Sequence, residues 1–247
     1  MKKGLIALML ALLPVMGFAS ESEVELDKVK VDLSDQASLQ RGAKIFVNYC
    51  LSCHSASYMR YNRMAADIGL TDKQVKENMG FITDNTGKFK AGGLMKTTIN
   101  AEEALAAFNT VPPDLSVTSR SRGADWIYTY LRGFYRDDKA PSGWNNTVFR
   151  SVSMPHVLWT WQGVRIPEFK TREDGTKSLV GFKTIKAGSM NEKEYDEAAR
   201  DLTAFMVYLG EPAQLVRYRL GVYVLIFLAF FGVFAYLLKK NYWKDVH

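Results

Sequence analysis

The sequence predicts a mostly α-helical exported domain with long loop insertions, held at a membrane by one C-terminal helix. Three observations predict it. The chain opens on a short apolar run behind two lysines, closes on a long uncharged run, and shows its clearest periodicity at helical spacing in between. With 47% apolar residues and 32 Lys+Arg against 26 Asp+Glu, the 247 residues have the composition of a folding chain. The net charge of +6 is mild, and no basic stripe interleaved with aromatics marks the chain for nucleic acid.

Residues 1–19 carry Lys2 and Lys3, an apolar run from Leu5 to Val15, and small residues at Gly17 and Ala19, the pattern of a cleaved secretory signal peptide. That run is about half of the ~20 residues a bilayer crossing needs, which argues against a first span. Leu220 to Leu238, in contrast, is free of charge and would reach through roughly 28 Å of hydrocarbon as a helix. Tyr218, Tyr236, Tyr242 and Trp243 bracket it at headgroup level. Residues 218–238 are therefore the expected anchor. The signal places residues 20–217 outside, in the periplasm, and residues 239–247 with Lys239, Lys240 and Lys244 in the cytoplasm.

Within the exported part, Leu39, Ala43, Phe46 and Val47 share one face of a helix expected over Gln36–Tyr49, with Ser34 or Asp35 as its cap. Asn85–Gly93 reads as a loop, Ala101–Phe108 and Asp125–Phe134 as short helices, and Val111-Pro112-Pro113-Asp114 between those helices as stiff and non-helical. Residues 140–188 keep no steady period, apart from a hairpin suggested by Asp174-Gly175. Ser189–Leu209 is the strongest soluble helix, with Ser189 and Glu192 matching a capping box and Ala198, Leu202, Phe205, Met206 and Leu209 forming its apolar stripe. Gly210 and Pro212 stop it.

Chemistry concentrates at Cys50-Leu51-Ser52-Cys53-His54. Two thiols spaced to meet two vinyl groups, followed by an imidazole that can reach iron, form the attachment signature of a c-type haem. These are the only cysteines in the chain, so no disulfide framework or four-thiolate metal site can be built from it. A redox dithiol would want a βαβ context, and half of a metal site would want further ligands. One covalently attached haem c, ligated by His54, is the expectation. The remaining axial position falls to His156 or to a methionine among Met59, Met64, Met79, Met95, Met154, Met190 and Met206, since His247 lies beyond the anchor.

The motif after its helix, Pro112-Pro113-Asp114-Leu115-Ser116 followed by Arg120 and Arg122, Met154-Pro155, and Glu211-Pro212 before a single span together resemble the cytochrome c1 family, the haem subunits of cytochrome bc1 complexes. The resemblance covers essentially the whole mature chain. It implies a c-type cytochrome domain in which Cys50, Cys53 and His54 hold the haem, Met154 is the second iron ligand, Pro112 and Pro113 pack beside the ring, and Arg122 pairs with a propionate. It also implies cytochrome b and a Rieske iron–sulfur protein as partner subunits, and a cytochrome c as electron acceptor. Where the family often continues with an apolar or proline-rich stretch after the methionine, this chain has His156, Trp159 and Trp161. A membrane-tethered haem enzyme or gas sensor with an open sixth site is the alternative of a different class. A tethered shuttle cytochrome is a third, which the length between the haem motif and Met154 argues against.

Overall fold

The computed structural model describes residues 25–80, 89–171 and 177–245. The expected signal peptide, part of the 85–93 loop, the Asp174-Gly175 turn and the last two tail residues lie outside the described residues.

Helix α1 (Gln36–Ile45) starts where the Asp35 carboxylate accepts the Ser38 amide at 3.0 Å. It does not run on to Tyr49 as α-helix. Phe46–Cys50 widens into a π-helical turn, with the Leu51 amide bonded to the Phe46 carbonyl five residues back at 3.0 Å. The wider turn lets Phe46, Val47 and Cys50 all face the core.

Strand β1 (Ala56–Arg60) pairs antiparallel with the two-residue β2 (Leu94–Met95), and helices α2 (Tyr61–Asp67) and α3 (Asp72–Met79) lie between them in sequence. Helix α4 (Ala101–Phe108) has the expected bounds, set by an Asn100/Glu103 capping box and a left-handed Asn109 at φ 55°. Helices α5 (Thr118–Arg122) and α6 (Ala124–Arg132) are separated by Gly123, whose φ of +86° breaks the helix. The helix expected to reach Phe134 ends at Arg132, because Phe134 instead opens strand β3 (Phe134–Arg136), which pairs with β4 (Trp144–Asn146).

A short helix, α7 (Trp159–Gln162), leads into the antiparallel ribbon of β5 (Gly163–Thr171) and β6 (Lys177–Ala187), the two strands expected on either side of Asp174-Gly175. Helix α8 (Glu192–Gly210) corrects the expected cap. Asn191 with Glu194, not Ser189 with Glu192, forms its capping box, because Ser189 and Met190 give their amides to the carbonyls of Thr160 and Trp161. Ala199 rather than Ala198 is buried, along with Leu202, Phe205, Met206 and Leu209.

Helices α1 and α8 cross at close range. A Cβ added to Gly42 would come 2.1 Å from the Asp201 carbonyl oxygen, and the rings of Phe46 and Phe205 meet at 5.5 Å. At the same crossing, buried Asp201 accepts from the Ser38 hydroxyl at 2.6 Å and from the Arg41 Nε at 2.5 Å. This crossing anchors the main core, which also holds Leu51, Met64, Ile68 and Met95. A smaller cluster of Phe134, Trp144 and Val152 carries Tyr130, Met154 and Val164 on its flank.

The last helix, α9 (Gln214–Tyr242), extends the expected 218–238 at both ends to 29 residues, long and apolar enough to cross a membrane. None of its residues is buried. An uncovered apolar helix of this length is stable only where lipid replaces water along it.

Candidate functional site

The turn after α1 brings the motif together. The amides of Cys53 and His54 both bond the Cys50 carbonyl, at 3.1 and 2.8 Å, so two thiols and one imidazole leave a single turn of chain. Burial pushes the Cys50 thiol up to about 12, the opposite of what a thiolate nucleophile needs, which disfavours the redox-dithiol reading. No group of three His, Cys, Asp or Glu side chains suited to a metal ion occurs among the described residues.

Pro112 and Pro113 lie outside any helix or strand, where a prolyl carbonyl is free of helical duty. The Pro113 carbonyl stands 2.8 Å from Nδ1 of His54. An imidazole that donates from Nδ1 keeps its lone pair on Nε2, the tautomer an iron ligand requires. Burial lowers the proton affinity of His54, so the ring is neutral near pH 7. The segment is laced to the motif strand by further bonds. Leu115 donates to the Ser55 carbonyl at 2.8 Å, and Asp114 accepts the amides of Ser57 and Ser116 at 2.9 and 2.8 Å. A neutral, Nε2-available imidazole beside two free thiols fits a covalently attached haem c.

The candidates for the second axial position separate by packing. Met59, Met64, Met79, Met95 and Met206 are buried in the main core, and Met190 packs against it. Met154 lies apart, half-buried, and its sulfur accepts the Tyr130 hydroxyl at 3.3 Å. His156 is 2% exposed, its ring parallel to Phe134 at 4.9 Å and edge-on to Trp144 at 5.2 Å. Its Nε2 has no partner among the described residues, and burial pushes its pKa down to about 3. The segment after His156 returns to the motif, where Trp161 packs against Tyr49, next to Cys50, with ring centroids 4.7 Å apart.

Arg122 is exposed at the end of α5, its guanidinium 5.1 Å above the Trp126 ring. Trp126 stacks on Tyr130 at 4.9 Å and 12°, and Tyr130 meets Phe134 edge-on at 5.1 Å. Arg122, Trp126, Tyr130 and Phe134 thus form a ladder at four-residue spacing, from the surface to the Met154 sulfur. Sequence reasoning missed Tyr130, although its spacing from Trp126 along one helical face was the available signal. It also missed Asn146, fully buried at the end of β4. Asn146 donates to the Tyr130 carbonyl at 2.8 Å and accepts the amides of Val148 and Phe149, at 2.9 and 3.3 Å, fixing the start of the Met154 loop.

The Cytochrome C1 family matches residues 28–246. A cytochrome c1 of Allochromatium vinosum is 46% identical over 249 residues, covering 100% of both chains. A protein of Nitrosomonas europaea named ammonia monooxygenase gamma subunit is 48% identical, covering 98% of this chain and 97% of its own. Among solved structures, a chain of a hyperthermophilic respiratory Complex III aligns over 100% of this chain and 98% of its own, with a TM-score of 0.42 and 17% identity.

Proposed function

The chain belongs to the cytochrome c1 family, and from that premise we propose that it is the electron-carrying haem subunit of a membrane-bound quinol–cytochrome c oxidoreductase. In this reading one haem c, bound through Cys50 and Cys53, supplies an iron that alternates between ferrous and ferric and so carries one electron at a time. His54 and Met154 are the side chains that would hold the iron. The observation that carries the reading is the bond between the Pro113 carbonyl and His54 Nδ1, in a turn that also presents both thiols.

Each residue then has a defined task. Pro113 fixes the tautomer and aim of His54, while Pro112 stiffens the approach to it. Met154 offers a soft, neutral thioether, which favours ferrous iron and raises the potential. The packing of His156 between Phe134 and Trp144 supports Met154 over the imidazole. Arg122 is the donor for a propionate, with Trp126 beneath its guanidinium holding the planar fork in place.

The proposed partners are cytochrome b and a Rieske iron–sulfur protein within the complex, with a cytochrome c as acceptor. The proposed topology sends residues 20–217 to the periplasmic face after removal of residues 1–19. Residues 218–238 lie in the inner membrane and residues 239–247 in the cytoplasm.

The test is spectroscopic and compositional. The denatured polypeptide is expected to keep one haem through both thioether bonds and to lose it in the Cys50→Ser, Cys53→Ser double variant. Met154→Leu should abolish the thioether-to-iron charge-transfer band and admit carbon monoxide, whereas His156→Ala should leave the band in place. An intact protein that binds carbon monoxide readily would instead favour the open-site sensor. Purification with its natural subunits distinguishes a quinol-oxidising complex from an assembly like that for which the Nitrosomonas relative is named.

A further inference from the structure

We propose that the Tyr130 hydroxyl is a positioning group that raises the potential of the iron by donating a hydrogen bond to the Met154 sulfur, an inference that rests on Met154 being an axial ligand. The phenol oxygen lies 3.3 Å from Sδ. Two other buried tyrosines find stronger acceptors, while the buried Tyr61 hydroxyl has no partner among the described residues. Tyr195 donates to the Leu131 carbonyl at 2.9 Å and Tyr208 to the Asp67 carboxylate at 2.8 Å. A thioether is a weak acceptor, so a hydroxyl committed to one reflects the placement of both side chains.

That placement is rigid. One face of the Tyr130 ring stacks on Trp126 and its edge meets Phe134, while its carbonyl receives the Asn146 amide at the root of the loop that carries Met154. Ring and sulfur are therefore held to the same small cluster from both sides of the sequence.

A thioether sulfur has two lone pairs, and a ligand methionine uses one toward iron. A hydrogen bond to the other draws electron density off the sulfur and weakens its donation. Ferric iron, the stronger Lewis acid, loses more by this than ferrous iron, so the bond favours reduction. Removing the hydroxyl removes the bias and leaves the thioether in place.

The experiment uses the full chain in its membrane complex. Tyr130→Phe deletes one oxygen and keeps the ring stack. The charge-transfer band and the melting temperature should stay, while the ferrous-to-ferric ratio at fixed applied potential falls about fourfold, which is about 35 mV at 59 mV per tenfold for one electron. An unchanged or raised potential in Tyr130→Phe, with the band lost in Met154→Leu, would overturn the role of Tyr130 and leave the ligand assignment standing. A band that survives Met154→Leu would overturn the ligand assignment and this inference with it. Should Met154→Leu fail to accumulate, Met154→His still fills the axial site with an imidazole, and its loss or retention of the band decides the same question.

Discussion

The residues that matter most here act through second partners. His54 could be read as a candidate ligand from its place after Cys53, but what leaves its Nε2 available for that role is the Pro113 carbonyl on Nδ1, 59 positions on. Asp114, beside it, serves the same junction. Burial alone would raise its pKa, yet the bonds from Ser116 and Ser57 outweigh that and hold it below the ordinary carboxylate range. A depressed folded pKa means stability that is present above the unfolded value of about 4 and is lost as the pH falls through the folded one. Melting temperature should therefore drop as acid is added below about pH 4. Asp114→Asn, which keeps an acceptor but no charge, should lower the melting point at pH 7 and flatten the acid limb; parallel curves for the two proteins would show that Asp114 contributes nothing to it.

At the scale of elements, the crossing of α1 and α8 decides whether the motif turn is held. Periodicity identified both helices, and Leu39, Ala43, Phe46, Leu202 and Phe205 all proved to be core. The close approach at Gly42 was hidden, because glycine carries no hydropathy signal and its value lies in letting another backbone come near. Gly42→Ala should destabilise the protein by about 2–3 kcal/mol, the upper part of the range for overpacked cores, since the obstructing atom is a backbone carbonyl that cannot swing aside. Thermal unfolding of the purified protein would measure this, and a loss below ~0.5 kcal/mol, the range of an uninvolved surface site, would show that the helices can separate freely. The cap of α8 was misplaced by two residues for a related reason. Both Ser189/Glu192 and Asn191/Glu194 satisfy the pattern, and the bonds of Ser189 and Met190 to α7 choose between them.

For the whole molecule, attachment and chemistry sit on separate parts of one chain. Helix α9 has no buried residue, and a Glu211–Arg217 ion pair at 2.5 Å marks the passage into it. Ending the chain near Arg217 should yield a soluble haem domain whose spectrum matches the full protein, assayed by fractionation after dissociation from partner subunits; a truncated protein still firmly in the membrane fraction would reveal another anchor. The sequence by itself determined the Cys50–His54 motif, the membrane-length helix and the main helices, because covalent spacing, hydropathy and periodicity are local properties that each segment carries alone, and the order of its motifs carried the resemblance to the family. The tertiary structure decided how Pro113 orients His54, which thioether lies outside the core, and how Tyr130 and Asn146 hold it. Those relations join residues from 16 to 59 positions apart. Their energy comes from desolvated hydrogen bonds and ring contacts, which exist only after the chain has folded and water has left.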